Sequence, residues 1–324
     1  MDWVNANVLV TGGAGFIGSS LIRKLITLGC KVRVADNFSR GTRENIAEVL
    51  NQIELLEIDL TRIESCIKAC KDMDFVFHLA ASVGGIHFIK KENVGGLTPS
   101  IQMNTNMLEA ARKSDIKRYV FASSACIYRQ RSDELNQFKE SDAIPANPAT
   151  TYGWAKLLGE IQCKAYHDDY GIKCSSARIF NAYGERENLD PRWSHVIPSI
   201  IRKAIRYPDE GFKMFGDGSQ ERGFLYVQDC IEGLLHFMDK VTDAEGINLG
   251  SNEVVSIRDL AERVVKLSGK EIKIQWDPSG PTGTNRYCAD QTRMQQVLNW
   301  VPETPLNEGL KKTYQWAKGV LDVE

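Results

Sequence analysis

The sequence predicts an α/β fold: a doubly wound parallel sheet with a smaller C-terminal α/β cap. Three observations predict it. Short β-rich runs alternate with helical stretches through the first 180 residues, and a glycine-rich turn joins the first strand to the first helix. Beyond residue 181 Gly/Pro-rich connectors break the pattern up. Strands separated by helices cannot pair as hairpins, so they pair in parallel under helices on both faces. The boundaries expected are 1–180 for the sheet domain, with the chain returning to it within 225–260, and 181–324 mainly for the cap.

Taken in order, 4–11 reads as a buried strand, and the glycines lead into an apolar-periodic helix over 15–28. A second strand covers 31–35 and ends at Asp36. Runs at 55–58, 75–79 and 119–122 follow, separated by helical stretches at 64–71 and 100–113. A long helical pattern covers 151–170, then strand at 173–180 and helix at 197–206. Connectors at 207–211 and 277–283 interrupt the rest, in which 257–268 and 306–319 read as helix.

With 324 residues, 43% apolar and 25% charged, the chain can bury a large core, and its net charge of −2 gives no reason to expect nucleic acid or a membrane as partner. No apolar run reaches transmembrane length. Eight cysteines are spread thinly, without a signal-peptide pattern, which leads us to expect reduced thiols and a cytoplasmic setting. There is no C-x-x-C pair, and Cys66/Cys70 and Cys163/His167 stand alone at helical spacing, so no metal site is expected.

Gly12, Gly15 and Gly18 give a G-x-x-G-x-x-G spacing between a strand and a helix. A backbone without side chains can approach a pyrophosphate closely, and the helix N-terminus offers free N–H groups and a partial positive charge. Strand, helix and an acid about twenty residues on are all present, which predicts a dinucleotide-binding (Rossmann) unit. Asp36 would accept from both ribose hydroxyls and repel a 2′-phosphate, favouring NAD over NADP, and Arg40 nearby could soften that preference. Phe16 and Ile17 of the turn, Asn37, Asp59-Leu60 after the third strand, and Leu79-Ala80-Ala81 after the fourth would lie along the same cofactor. An acid in the place of Asp59 serves equally as a helix cap.

Tyr152 and Lys156 share one face of a helix that follows the strand carrying Phe121-Ala-Ser-Ser-Ala-Cys-Ile-Tyr128. A phenol titrates near 10, and a neighbouring ammonium and an oxidised nicotinamide would both favour the phenolate, so Tyr152 could take a hydroxyl proton while hydride leaves the same carbon. Over essentially its whole length the chain resembles the extended short-chain dehydrogenase/reductase family. That resemblance implies Ser124, Tyr152 and Lys156 as the catalytic triad, with Tyr152 the base, Lys156 holding the ribose and lowering the phenol, and Ser124 orienting the substrate hydroxyl. It also implies a nucleotide-diphosphate sugar as substrate, with Asn181, Arg222 and Arg286 gripping its diphosphate, and a homodimer formed by the helix before Lys113 and the Tyr152 helix. Without the family, each arginine is equally a surface ion pair.

Within the family the chain is similar to the GDP-sugar branch. Ser123-Ser-Ala-Cys-Ile-Tyr128 and Glu140-Ser-Asp-Ala-Ile-Pro-Ala146 are similar to GDP-mannose 3,5-epimerases, while Ser194-His-Val-Ile-Pro198 and Gly283-Thr-Asn-Arg286 are similar to GDP-fucose synthases. Val83-Gly84-Gly85-Ile86-His87 follows the fourth strand, and Gly84 and Gly85 are taken as substrate contacts. The resemblance makes Cys126 and His195 the acid/base pair of an epimerisation. A ketone at carbon 4 acidifies the hydrogens on carbons 3 and 5, and inversion then needs a base on one face and an acid on the other. A thiol near 8.5, which a cationic site can lower, and an imidazole near 6.5 both suit the task. GDP-mannose epimerases place a lysine where this chain has His195 or Val196. Bottom-up, Cys126 is also readable as a core residue and His195 as a helix cap.

The reading is therefore an NAD-dependent nucleotide-sugar epimerase working through a transient 4-keto sugar, on a GDP-mannose-type hexose. Its rivals are a UDP-hexose 4-epimerase, a GDP-keto-sugar epimerase/reductase or 4-dehydrogenase, and a dinucleotide-sensing protein without catalysis. Dehydratases of this family carry acids directly after the catalytic Ser/Thr, and Ala125-Cys126 offers none.

Overall fold

The computed structural model describes residues 1–83, 93–129, 137–279 and 285–322. Seven strands form one parallel sheet: β1 (Asn7–Thr11), β2 (Lys31–Asp36), β3 (Ile53–Glu57), β4 (Phe75–His78), β5 (Arg118–Ser124), β6 (Cys174–Ile179) and a last strand, Gly246–Leu249. Their spatial order is Gly246–Leu249, β6, β5, β4, β1, β2, β3, so the winding reverses between β1 and β4, where a crevice opens above the sheet. The register brings the carboxyl ends level: Thr11 pairs with Ala35 and with His78, His78 with Phe121, and Ser124 with Ile179.

Alternate residues of each strand enter different layers, because successive side chains point to opposite faces. Val8, Val10, Phe75 and Phe77 pack with Leu21, Ile22 and Leu25 of helix α1 (Phe16–Thr27) and with Ile231 and Leu234 of the helix Val227–Lys240. Leu9 and Val76 pack on the other face, against Cys66, Met107 and Cys163 of the helices Ile63–Cys70, Asn93–Lys113 and Thr151–Tyr170. Both faces are dry, which is why these strands are apolar throughout rather than alternating.

Past β6 the described residues form three small sheets, including Val254–Ser256 with Glu221–Gly223 and Arg286–Tyr287, and the helices Val196–Ile205, Ile257–Ser268 and Leu306–Leu321. Several expected boundaries move. The helix expected at 100–113 starts at Asn93; Gly95, Gly96 and Pro99 within its first two turns make that stretch of the sequence read as a loop. The strand expected at 55–58 runs Ile53–Glu57. The strand Gly246–Leu249 was not read individually, being four residues between two glycines.

Candidate active site

A cleft of ≈ 1590 Å³ lies along the carboxyl ends of the strands. Its walls include Gly12, Gly15, Phe16, Ile17, Gly18, Asp36, Asn37, Arg40, Asp59, Leu60, Leu79, Ala80 and Ala81, so the residues expected to hold the cofactor are gathered in one place. Gly12 has φ +67°, and a Cβ there would lie 2.9 Å from the backbone of Ala80, so the turn passes β4 at a distance only glycine allows. Helix α1 starts at Gly15 with no side-chain cap, which leaves the N–H groups of its first turn to a ligand. Asp36 is buried; one carboxylate oxygen accepts from the Ala14 N–H at 2.9 Å and the other from Phe38 at 2.8 Å. Burial raises its carboxyl against these backbone bonds, and a carboxylate has lone pairs left for two hydroxyls. Cradle, uncapped helix and acceptor fit a dinucleotide. The Arg40 guanidinium lies 3.7 Å from the centre of the Trp193 ring, on the wall of the same cleft. Asp59 accepts from the N–H and hydroxyl of Thr61 at 2.9 and 2.8 Å, so it also organises its own turn.

Ser124, Cys126, Tyr152 and Lys156 wall the same cleft. Ser124 caps a single 3-10 turn, Ala125–Ile127, its Oγ accepting from the Cys126 N–H at 3.2 Å. The helix bearing Tyr152 packs on this turn, with Gly153 against the Cys126 carbonyl. Burial pushes the phenol up and Ser124 pulls it partly back. Lys156 Nζ donates to the Ala122 carbonyl at 2.6 Å and sits 5.7 Å from the Tyr152 ring centre, and burial brings its ammonium down to about 8. In this state burial governs the Tyr152 phenol, while the Lys156 ammonium donates to a backbone carbonyl. The Cys126 thiol, which a cationic site can lower, is raised by burial, which outweighs Ser124 and Lys156.

His195 also borders the cleft. It begins the helix Val196–Ile205 but makes no side-chain cap; its Nδ1 lies 2.6 Å from Oε1 of Glu187. Partial desolvation at the cleft wall lowers the imidazole, and Glu187 overrides that and holds it above the usual histidine range. Asn181, at φ +40°, donates to the Gly223 carbonyl at 2.9 Å beside Arg222, and both residues wall the cleft. Arg286 pairs with Glu221 at 2.9 Å and is not among the residues lining the cleft. Gly84, Gly85 and His87 lie outside the described residues. Among those described, no group of three or more His, Cys, Asp or Glu side chains could hold a metal ion, and no helix is long and apolar enough to cross a membrane.

Several supporting residues carried no motif. His78 is fully buried, with Nδ1 2.8 Å from the Thr11 hydroxyl and Nε2 3.1 Å from Asn104 Oδ1; Thr11 accepts from the Ala80 N–H, and Asn104 donates to the Ala155 carbonyl at 3.5 Å. Burial brings this imidazole down to about 3, so it is neutral and bridges the glycine-loop strand to the catalytic helix. Behind Ser124, Arg178 pairs with Glu160 at 2.8 Å and donates to the Tyr128 hydroxyl at 3.0 Å, and Ser123 donates to Glu160. The Tyr287 hydroxyl donates to the Ala125 carbonyl, and its ring lies 6.0 Å from the Arg222 guanidinium. Only the continuous apolar run around His78 hinted at its burial.

A family model described as "NAD dependent epimerase/dehydratase family" matches residues 8–250. The chain belongs to the NAD-dependent epimerase/dehydratase family. Relatives in this family include GDP-mannose 3,5-epimerase of Arabidopsis thaliana, 36% identical over 99% of this chain and 84% of that protein. GDP-L-fucose synthase 1 of the same plant is 31% identical over 96% and 93%. The solved UDP-glucuronic acid 4-epimerase of Bacillus cereus, in complex with UDP-glucuronic acid and NAD, superimposes with a TM-score of 0.85 at 29% identity, covering 97% of this chain and 99% of that one. The protein is thus an NAD-dependent nucleotide-sugar epimerase of Rossmann-like fold, and its cofactor is NAD.

Proposed function

We propose that the enzyme inverts carbons 3 and 5 of a GDP-mannose-type hexose through a transient 4-keto sugar. The observation that carries this reading is the place of Cys126: it walls the same cleft as Ser124 and Tyr152, on the turn against which the Tyr152 helix packs. A carbon acid/base there would act on the sugar that Tyr152 has just helped oxidise. The names of the relatives support the same choice.

NAD, when bound, supplies the hydride acceptor and returns the hydride at the end of the cycle. Tyr152 takes the proton of the carbon-4 hydroxyl, which Ser124 orients, and Lys156 holds the cofactor ribose. The resulting ketone acidifies carbons 3 and 5. Burial keeps Cys126 as the thiol at rest and thus as a proton donor, with His195 as its counterpart on the other face. Arg222, with Asn181 beside it, grips the diphosphate, since a guanidinium suits phosphate geometry. Arg286 backs Arg222 through Glu221. Residues 1–180, rejoined within 225–260, serve the cofactor, and the remainder of 181–324 serves the sugar.

The enzyme acts as a homodimer in the cytoplasm. Val94, Trp154 and Ile161 stay exposed on the two helices expected to pair, and all eight cysteines are free. Recording thermal shifts with GDP-, UDP-, CDP- and dTDP-hexoses tests the substrate class. GDP-mannose should stabilise the NAD-loaded protein most; stabilisation by UDP-hexoses alone would contradict the reading.

A further inference from the structure

Glu187 lies in the loop between Ala182–Tyr183 and the helix Val196–Ile205. It is only 4% exposed, while the His195 ring it touches is 58% exposed where it borders the cleft. One carboxylate oxygen is 2.6 Å from His195 Nδ1, and the other has no hydrogen-bond partner. Among the described residues no lysine or arginine pairs with Glu187. The neighbouring charges are engaged elsewhere: Asp190 with Arg192, Arg202 with Glu210 and the Leu189 carbonyl, and Arg40 over Trp193. Cys126 and Lys156 border the same cleft. A buried carboxylate is costly unless something compensates it, and here that something is the imidazole.

We propose that Glu187 is the positioning residue of the His195 acid/base group: its carboxylate holds the proton on Nδ1, so that Nε2 is the nitrogen presented to the sugar. An imidazole free to rotate and to change tautomer would offer either nitrogen, in either state, to the substrate. A carboxylate behind Nδ1 fixes ring, tautomer and the basicity of Nε2 together. Glu187 moves no proton to or from substrate; it acts through His195. The inference rests on His195 serving as the acid/base group, but its first test does not need the sugar.

That test is nitrogen-15 NMR of the full chain with labelled histidines, five in all, the His195 signals being those lost in His195→Asn. The wild-type protein should show His195 with its proton on Nδ1 above its titration, and a titration above the usual histidine value that falls in Glu187→Gln. A wild-type His195 protonated on Nε2 would overturn the proposal, whatever the substrate and whether or not the variant folds. In the assay with sugar, Glu187→Gln should lower kcat about 10-fold or more with little change in KM, and move the pH limb assigned to His195 downward. Glu187→Asp should restore part of the rate. Equal losses in Gln and Asp variants with an unmoved pH limb would make Glu187 a packing residue. Failure of every GDP-sugar as substrate, with the tautomer as expected, would overturn the substrate assignment and leave the Glu187–His195 pair standing.

Discussion

A Cβ placed on Gly153 would lie 2.1 Å from the carbonyl oxygen of Cys126. The helix bearing Tyr152 therefore rests directly on the turn bearing Ser124 and Cys126, and the missing side chain sets the distance between phenol and thiol. Thr150 fixes the start of that helix, its hydroxyl oxygen accepting from the Gly153 N–H at 3.2 Å.

Gly153→Ala must push the helix off the turn, because the clash is with backbone. Overpacking of this kind costs about 1–3 kcal/mol, and a displaced phenol lowers kcat by about 10-fold or more. NAD binding should change little. Thermal unfolding with steady-state kinetics checks this; an alanine variant with wild-type kcat would show that the contact is not needed.

Asp36→Asn should relax the preference for NAD. The carboxylate faces the ribose end of the cleft, and its charge opposes a 2′-phosphate while Arg40 stands near enough to welcome one. Titration of both dinucleotides should show the NAD:NADP affinity ratio fall by roughly tenfold, about 1.4 kcal/mol. An unchanged ratio would remove Asp36 as the discriminating residue.

The neutral imidazole of His78 predicts acid lability. An unfolded histidine takes up a proton below about 6.5, whereas folded His78 does so only near about 3. In that window the unfolded state holds more protons, so stability rises with pH. The contribution is complete above pH 6.5 and is lost as pH falls toward 3, at up to about 1.4 kcal/mol per unit. Denaturant unfolding between pH 7 and 4.5 should show this slope, flattened in His78→Gln. Equal slopes in the two proteins would contradict it.

The cofactor half of the site was legible because it is built from backbone: glycines, one strand end and one acid fixed by local spacing. The Tyr152–Lys156 pair was legible because four residues make one helical turn. Glu187, Asn104 and Tyr287 were not, since each meets its partner through the tertiary fold and carries no local signature. The balance at the phenol and the thiol was hidden for a related reason. Charge neighbours can be guessed from a sequence, but the burial that outweighs them at Tyr152 and Cys126 comes from the packed cleft. The early start of the helix Asn93–Lys113 was hidden by Gly95, Gly96 and Pro99, which local propensity assigns to a loop.

Proton NMR of the nucleotide sugar recovered after turnover in deuterated water tests the central claim most directly. Deprotonation of a 4-keto sugar by the Cys126 and His195 pair must place deuterium on carbon 3 or carbon 5. Cys126→Ser should suppress that label far more than it suppresses NAD reduction, and Tyr152→Phe should prevent both while still binding NAD. Wild-type turnover of the sugar with no carbon-bound deuterium would contradict the account, leaving an epimerase that oxidises and re-reduces carbon 4 alone.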